Sequence, residues 1–347
     1  MKIKTLPAFN GDSILISFID SQRVNRNILI DGGISRTYPK HLKRELSSII
    51  EKGDSIDLLV ITHIDDDHIG GIIKLYEDTE IDRSFIKQVW FNSGNLLSDF
   101  FESEREKERE VEIIPRNKTE MSVGQGITLE SALVKEGNWF QKIVYTGLDV
   151  IVFHGAKVTI LSPNRSGLEK LQSKWETEKD KITLMSGEHD DFNIPISELI
   201  KLPFKEDQAV PNGSSIAFMI EHDGKKALLL GDAHPSVIES SLRNLSYSAE
   251  NKLQVDLVKV SHHSSKKNTS SDLLALIECS RFIISTDGNK HGLPDKQAMA
   301  RIIASNVGCS LYFNYDSLSD KIFTVADKQQ YHFQINTLYQ HDYTIAL

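Results

Sequence analysis

The chain has 347 residues, of which 39% are hydrophobic and 26% charged, with a formal net charge of −9. These values exclude wholesale disorder and allow one large layered domain with insertions, or two ordinary domains. The acidic balance gives no general pull toward a nucleic-acid backbone, although it leaves room for a local basic groove.

Cys279 and Cys309 lie in apolar surroundings without a Cys-x-x-Cys partner. They read as buried small hydrophobes in a reducing compartment, with no disulfide framework. The N-terminal residues Met1 to Phe9 alternate apolar with polar and do not form a leader core. No stretch reaches the roughly 20 apolar residues that a membrane span needs. The expectation is a cytoplasmic chain with no membrane partner.

In chain order, Ser13 to Ile19 and Asn27 to Asp31 are short apolar runs bounded by turn residues, and read as buried strands. Gly32-Gly33 ends the second. His41 to Lys52 carries Leu42, Leu46, Ile49 and Ile50 at helical spacing. Asp57 to Thr62 is another buried strand, and Ile69 to Tyr76 is helical. Phe101 to Glu112 and Gly167 to Lys181 are crowded with charge and read as solvated helices or connections. Between them, Val150 to Phe153 and Lys157 to Leu161 form a hairpin around His154-Gly155. Neither charged stretch has enough apolar surface for a core of its own. Residues 1–347 are therefore expected to form a single domain with a charged insertion at about 100–210.

From Gly213 the strand–helix rhythm returns. Ser215 to Ile220 and Lys226 to Leu230 flank a His-Asp-Gly hairpin turn. Helices are expected at Pro235 to Leu242, Ser271 to Glu278 and Asp295 to Ala304. Strands are expected at Val255 to Val260, Arg281 to Ser285, Ser310 to Phe313, Ile322 to Val325 and Tyr331 to Ile335. Two such halves suit an α/β sandwich of two sheets with helices outside.

The chemistry gathers where these strands end. His63-x-Asp65-x-Asp67-His68 follows a buried strand, and its nitrogen and oxygen donors suit a zinc-like cation. The bland alternative is an acidic turn whose aspartates cap a helix. Gly70-Gly71, which permits close backbone approach, favours the metal. Leu228 to Asp232 is an apolar strand ending in Gly231-Asp232; there the alternative is a cap on the Pro235 helix. Val258 to Ser265 is a strand ending in His262-His263. Adjacent residues at a strand end point to opposite sides, so both rarely serve one ion. Asp31, also at a strand end, is placed to hydrogen-bond a ligand histidine. Ser285 to Pro294 is a polar turn whose His291 could reach substrate.

The ordered set Asp31-Gly-Gly, His63-x-Asp-x-Asp-His68-x-Gly-Gly, Leu230-Gly-Asp232 and Val260-Ser-His262-His263-Ser resembles the metallo-β-lactamase superfamily. Within it, the chain is similar to the hydrolase domain of ComEC-like competence proteins and their stand-alone relatives. That branch shows an Asn-x-x-Ser strand before the Gly-Asp motif, matched here by Asn212 to Ser215, and a late Ser-x-Gly-x-x-x-His turn, approximated by Ser285 to His291. The resemblance covers roughly residues 1–100 and 205–335. It implies the four-layer αββα fold and does not account for the charged insertion between those stretches.

Two departures stand out. The superfamily's commonest motif has His where this chain has Asp65. It also usually has an isolated His where this chain has Asn212; His189 is a candidate substitute, set back by its place in the charged insertion. An oxygen-richer first site shifts preference toward manganese or magnesium.

The resemblance further implies two divalent metal ions, with zinc favoured and manganese the alternative. His63, Asp65 and Asp232 would hold one ion. Asp67, His68, Asp232 and one of the paired histidines would hold the other. The superfamily's version of the last motif places the ligand directly before a glycine, which favours His263. A metal-bridged hydroxide would be the nucleophile, with Asp67 orienting it. His262 and His291 would serve substrate or proton transfer, and Ser264 and Lys266 could hold phosphate. Lys266 and Lys267 could equally be ordinary surface charge.

The expected activity is that of a phosphodiesterase or nuclease, with a phosphodiester, nucleic acid included, as substrate. The alternatives are hydrolysis of a small ester, thioester or lactam, and a non-catalytic regulatory protein.

Overall fold

Ile14, Ile16 and Phe18 face one side of their strand and Leu15 the other, yet all four are buried. The same holds for Ile28 and Ile30 against Leu29. Side chains alternate across a strand, so a strand buried on both faces must have a layer packed on each. The apolar residues accordingly form three clusters. One lies between two sheets and includes Ile16, Ile28, Val60, Phe218, Leu229 and Ile283. A second joins the outer face of the first sheet to helices, through Leu15, Leu29, Leu59, Leu46 and Ile72. A third joins the second sheet to helices, through Met219, Val258, Phe282, Ile238 and Ile302. Three apolar interfaces define four layers, which is the expected αββα sandwich. This computed structural model describes residues 1–101, 118–177, 190–290 and 292–347.

The strands, in chain order, are β1 (Lys2–Thr5), β2 (Ile14–Ile19), β3 (Asn25–Ile30), β4 (Leu58–Val60), β5 (Val89–Trp90), β6 (Ile151–Phe153), β7 (Ala156–Ser162), β8 (Ala217–His222), β9 (Lys225–Leu229), β10 (Leu253–Gln254), β11 (Leu257–Lys259), β12 (Ile277–Glu278), β13 (Arg281–Ile284), β14 (Ser310–Phe313), β15 (Gln334–Thr337) and β16 (Thr344–Ala346). The first sheet has the order β16-β1-β2-β3-β4-β5 and the second β15-β14-β13-β11-β9-β8-β7-β6. The neighbours β3, β4 and β5 run parallel. So do β9, β11 and β13. Parallel neighbours deliver their C-terminal ends to the same edge of a sheet, and the loops after β3, β4, β9, β11 and β13 carry the candidate residues.

Both hairpin turns read from the sequence form. His154-Gly155 and Asp223-Gly224 have positive φ at both positions, the geometry that matches strand twist. The residues between 118 and 177 do more than connect. β6 and β7 extend the second sheet. Leu129, Leu133, Leu168, Leu171 and Trp175 are buried against the first. Trp175 fills the space beside two glycines, where a Cβ on Gly94 or Gly126 would come within 2.3 or 2.5 Å of its ring. Most of the charged stretch Phe101 to Glu112 lies outside the described residues, as does His189.

Two elements differ from expectation. Ile322 to Val325 is no strand: Asp316–Ile322 and Val325–Gln330 are helices, and the residues between them join these helices. Thr324 and Asp327 form a reciprocal cap, so Thr-x-x-Asp was a helix start inside an apolar run. The helix at Ser271 ends at Ala275, because Ile277 and Glu278 pair instead with Leu253 and Gln254. Cys279 and Cys309 are both free and buried. Burial pushes their thiols up to about 11 and about 12, so they are unreactive packing residues.

The close approach expected at Gly70-Gly71 is real. The helix Asp66–Glu77 begins within the His/Asp motif, and a Cβ on Gly71 would lie 1.9 Å from the Gly32 carbonyl oxygen. The obstacle is backbone, which cannot rotate away. Gly71→Ala should therefore destabilise the fold by about 2 kcal/mol or more, read as a lower denaturation midpoint in urea. An unchanged midpoint would mean that the two backbones separate freely.

Candidate metal centre

The helix Asp66–Glu77 has Asp65 at its N-cap, but the Asp65 side chain makes no capping hydrogen bond. The side chain instead lies beside His63, with 3.8 Å between Asp65 Oδ2 and His63 Nε2. One turn on, Asp67 and His68 face the same space. The helix Pro235–Asn244 is capped at His234 and not at Asp232. Gly231, at φ 49°, turns the chain so that Asp232 is buried in the centre. The helix-cap alternatives for Asp65 and Asp232 therefore do not describe these side chains.

Asp232 Oδ2 is the point on which the rings converge. It lies 3.3 Å from His68 Nε2, 3.9 Å from His63 Nε2, 3.7 Å from His263 Nε2 and 3.8 Å from His262 Nε2. Asp67 Oδ2 is 3.6 Å from His263 Nε2 and accepts from Asn10 Nδ2 at 3.2 Å. The ligating atoms of His63, His68 and Asp232, and those of Asp67, His68 and His263, form two groups with all members within 4.8 Å of one another.

The paired histidines do not obey the strand rule. His262, His263 and Ser264 all have left-handed backbones, with φ of 46°, 52° and 68°. Three such residues in succession cost about 1–2 kcal/mol each. They replace the alternation of a strand with a tight turn, which brings both rings to the same carboxylate. Asp31 is likewise left-handed, at φ 57°.

Each ring is held from behind. Asp31 accepts hydrogen bonds from Thr62 N (2.8 Å), Thr62 Oγ1 (2.7 Å) and His68 Nδ1 (2.7 Å). His263 Nδ1 donates to the Ser285 carbonyl at 2.8 Å. His63 Nδ1 lies 3.0 Å from Thr62 Oγ1. Such partners fix the tautomer and aim the opposite nitrogen. His262 Nδ1 is 2.9 Å from Asn268 Oδ1 and 3.3 Å from Asn212 Nδ2. Asp207 accepts from Asn212 and Asn268 and faces the same ring nitrogen at 3.6 Å.

Charge follows from this layout. Burial, together with the neighbouring His68, pushes His63 down to about 4, so its ring is neutral near pH 7. Burial opposes charge on His262, but Asp232 and Asp207 outweigh it and raise the ring to about 9. Burial also opposes charge on His68 and on Asp232. Their mutual attraction and their other partners win, holding the imidazole well above and the carboxylate well below their ordinary values.

The centre suits a cation. His63 Nε2, His68 Nε2, His263 Nε2 and Asp232 Oδ1 are buried without a hydrogen-bond partner among the described residues. Unpaired buried polar atoms are costly, and cations held by these groups would satisfy them.

The remaining expected residues are more scattered. Ser264 is buried with no hydrogen-bond partner for its hydroxyl among the described residues. Lys266 is ion-paired to Asp295 at 3.0 Å. Asn212 stands beside His262. His291 lies outside the described residues.

Sequence reasoning missed Asn10, Asp207, Asn268 and the pair of Asp12 with Lys259. Asp12 and Lys259 are each 1% exposed and form a salt bridge. The signal for Lys259 was present, as a lone cation inside the apolar run Val258-Lys259-Val260. Asp207, in Lys205-Glu206-Asp207, reads as surface charge.

Residues 7–135 match the family model described as the metallo-beta-lactamase superfamily. The matched stretch contains Asp31 and His63 through His68. Asp232, His262 and His263 lie beyond it. Among solved structures, the metallo-beta-lactamase fold protein YhfI from Bacillus subtilis is similar over 97% of this chain and 95% of its own, at 10% identity and a TM-score of 0.38. No curated protein matches the chain.

Asp31→Asn tests the support of His68. Asparagine tolerates the left-handed backbone and still accepts from Thr62 N, but its amide cannot replace the carboxylate oxygen facing His68 Nδ1. Metal affinity, read by competition with a chromogenic chelator, should fall about 10–100-fold. An unchanged affinity would show that His68 needs no such support.

Proposed function

We propose that the chain is a metal-dependent hydrolase of phosphodiesters that uses two divalent ions, zinc or manganese. The observation that carries this reading is the set of four buried, unsatisfied donor atoms on His63, His68, His263 and Asp232. His68 belongs to both candidate groups, but Asp31 occupies its Nδ1, so its single remaining nitrogen serves one ion. His68 with Asp67 and His263 would hold that ion. His63, Asp65 and Asp232 would hold the other, with Asp232 available to both. The second set has one nitrogen and two carboxylates, which favours manganese there more than in the first. Bound ions would supply Lewis acidity and an activated water.

The protein's own groups do the rest. His262 combines a ring nitrogen facing Asp232 with a partly exposed side chain. Asp207, Asn212 and Asn268 orient the ring, so His262 can hold the anionic substrate or give a proton to the leaving oxygen. Asp67, which accepts from Asn10, would orient the attacking water. Ser264 is a candidate donor to a phosphate oxygen. Lys266 is less suited, because Asp295 already holds its ammonium. The phosphodiester class rests on the resemblance of the motifs to the ComEC-like branch.

Purified protein should carry between one and two equivalents of zinc or manganese, raise its melting temperature on adding either, and hydrolyse bis-p-nitrophenyl phosphate. Asp232→Asn should lower turnover by about a hundredfold or more while circular dichroism stays unchanged. Elemental analysis without metal, together with no thermal shift, would sink the assignment. Turnover of a lactam or thioester panel without any phosphodiester would move it to the small-substrate class.

The paired histidines should separate in kind. His263→Ala should lose metal and activity together, whereas His262→Ala should keep most metal and lose rate. The reverse pattern would exchange their roles and leave the activity class standing.

A further inference from the structure

A cavity of about 660 Å³ is lined by Phe9, Arg36, Asp287, Asn289, Tyr315 and Lys321 among others. Two of its lining residues stand on the segments that support the centre. Phe9 precedes Asn10, which holds Asp67. Asp287 lies two residues beyond Ser285, whose carbonyl holds His263.

Phe9 is the least relaxed residue of this wall. Its φ is 63°, a conformation that a bulky side chain adopts only when its surroundings impose it. Two bonds from the C-terminal half do so. Phe9 N–H donates to the Tyr315 hydroxyl at 2.7 Å, and the Phe9 carbonyl accepts from Asp287 N at 2.8 Å. The ring then carries the Arg36 guanidinium at 4.1 Å from its centre, which positions that cation without neutralising it. Neither Arg36 nor Lys321 forms a salt bridge among the described residues. The Asp287 carboxylate in the same lining keeps its charge; both its oxygens accept from Asn289, and it forms no ion pair with either cation among the described residues. Two cations against one carboxylate leave this lining with an excess of positive charge on a chain of net charge −9, and in a cavity of ligand size that excess selects an anion.

We propose that this cavity is a subsite for a second phosphate of the substrate, held by Arg36 and Lys321, while the scissile phosphodiester sits at the His/Asp centre. The proposal rests on the phosphodiesterase reading. It makes the preferred substrate a phosphodiester whose neighbouring residue carries another phosphate, as in a nucleotide chain, rather than an isolated diester. Bound phosphate would receive charge-assisted hydrogen bonds from the guanidinium fork and the ammonium.

The test compares thymidine 5′-(p-nitrophenyl phosphate) with the same ester bearing a 3′-phosphate. In the metal-loaded protein, kcat/KM should favour the 3′-phosphorylated ester by about tenfold, the combined effect of two half-exposed charge pairs. In Arg36→Gln/Lys321→Gln the ratio should fall to about one. Both side chains are exposed, so the substitutions leave the core intact. Equal kcat/KM for the two esters in the wild type, or a preference that survives the double substitution, would overturn the subsite.

If neither ester is cleaved, the phosphodiesterase reading fails and the subsite is judged by binding alone. Thymidine 3′,5′-bisphosphate, titrated by calorimetry, should then bind about tenfold more weakly to the double variant. Equal affinity overturns the proposal.

Discussion

One carboxylate organises this molecule. Asp232 Oδ2 has four imidazole nitrogens within 4 Å, contributed by the loops after β4 and β11 and by the first turn of a helix. A buried carboxylate in such company is tolerable only because positive charge, proton or metal, is always within reach. The backbone around it is bent to provide that charge. Left-handed residues at Asp31, Gly231, His262, His263 and Ser264 all lie in this small region. Local strain of this kind persists where the surrounding packing over-determines it, and here three apolar interfaces do so.

The two halves meet at the same place. His63, Asp65, Asp67 and His68 belong to the first sheet's loops; Asp232, His262 and His263 belong to the second's. Lys259 and Asp12 join these halves directly beneath the centre. Asp12 also donates its N–H to the Asp67 carbonyl and accepts from Gly33 N, and its carboxylate approaches His263 Nδ1 at 3.7 Å. A single buried ion pair therefore ties the second sheet's edge to the two loops that carry Asp31 and Asp67. Loss of one partner would leave the other charge stranded in the core, a more damaging change than replacing both.

The layered fold was legible because β2, β3, β4, β9 and β11 are short, apolar and followed by polar turns, and because burial on both faces leaves near-continuous hydrophobic runs. The ligand candidates were legible because they stand at the ends of those runs. The fine geometry was not. Alternation predicts that His262 and His263 diverge, whereas successive left-handed residues turn both toward Asp232, and nothing in the residue types announces that. Ile322 to Val325 looked like a strand because apolar content outweighed the Thr-x-x-Asp cap inside it. Asp207, Asn268 and Asn10 were invisible because supporting polar residues acquire meaning only from neighbours distant in sequence.

Trp175 gives the packing of the charged middle segment an optical dimension. Its indole lies against Gly94 and Gly126, where three helices meet, and Gln125, beside Gly126, donates to Asp66 Oδ1 at 2.7 Å. Asp66 sits between the candidate ligands Asp65 and Asp67. Any shift in the seating of the Lys118–Glu136 helix must change the surroundings of this nearly buried ring and the grip on Asp66 together. The fluorescence of Trp175 is thus coupled by contact to the loop that carries half of the centre, an intrinsic lamp placed behind the site by the same packing that holds the layers together.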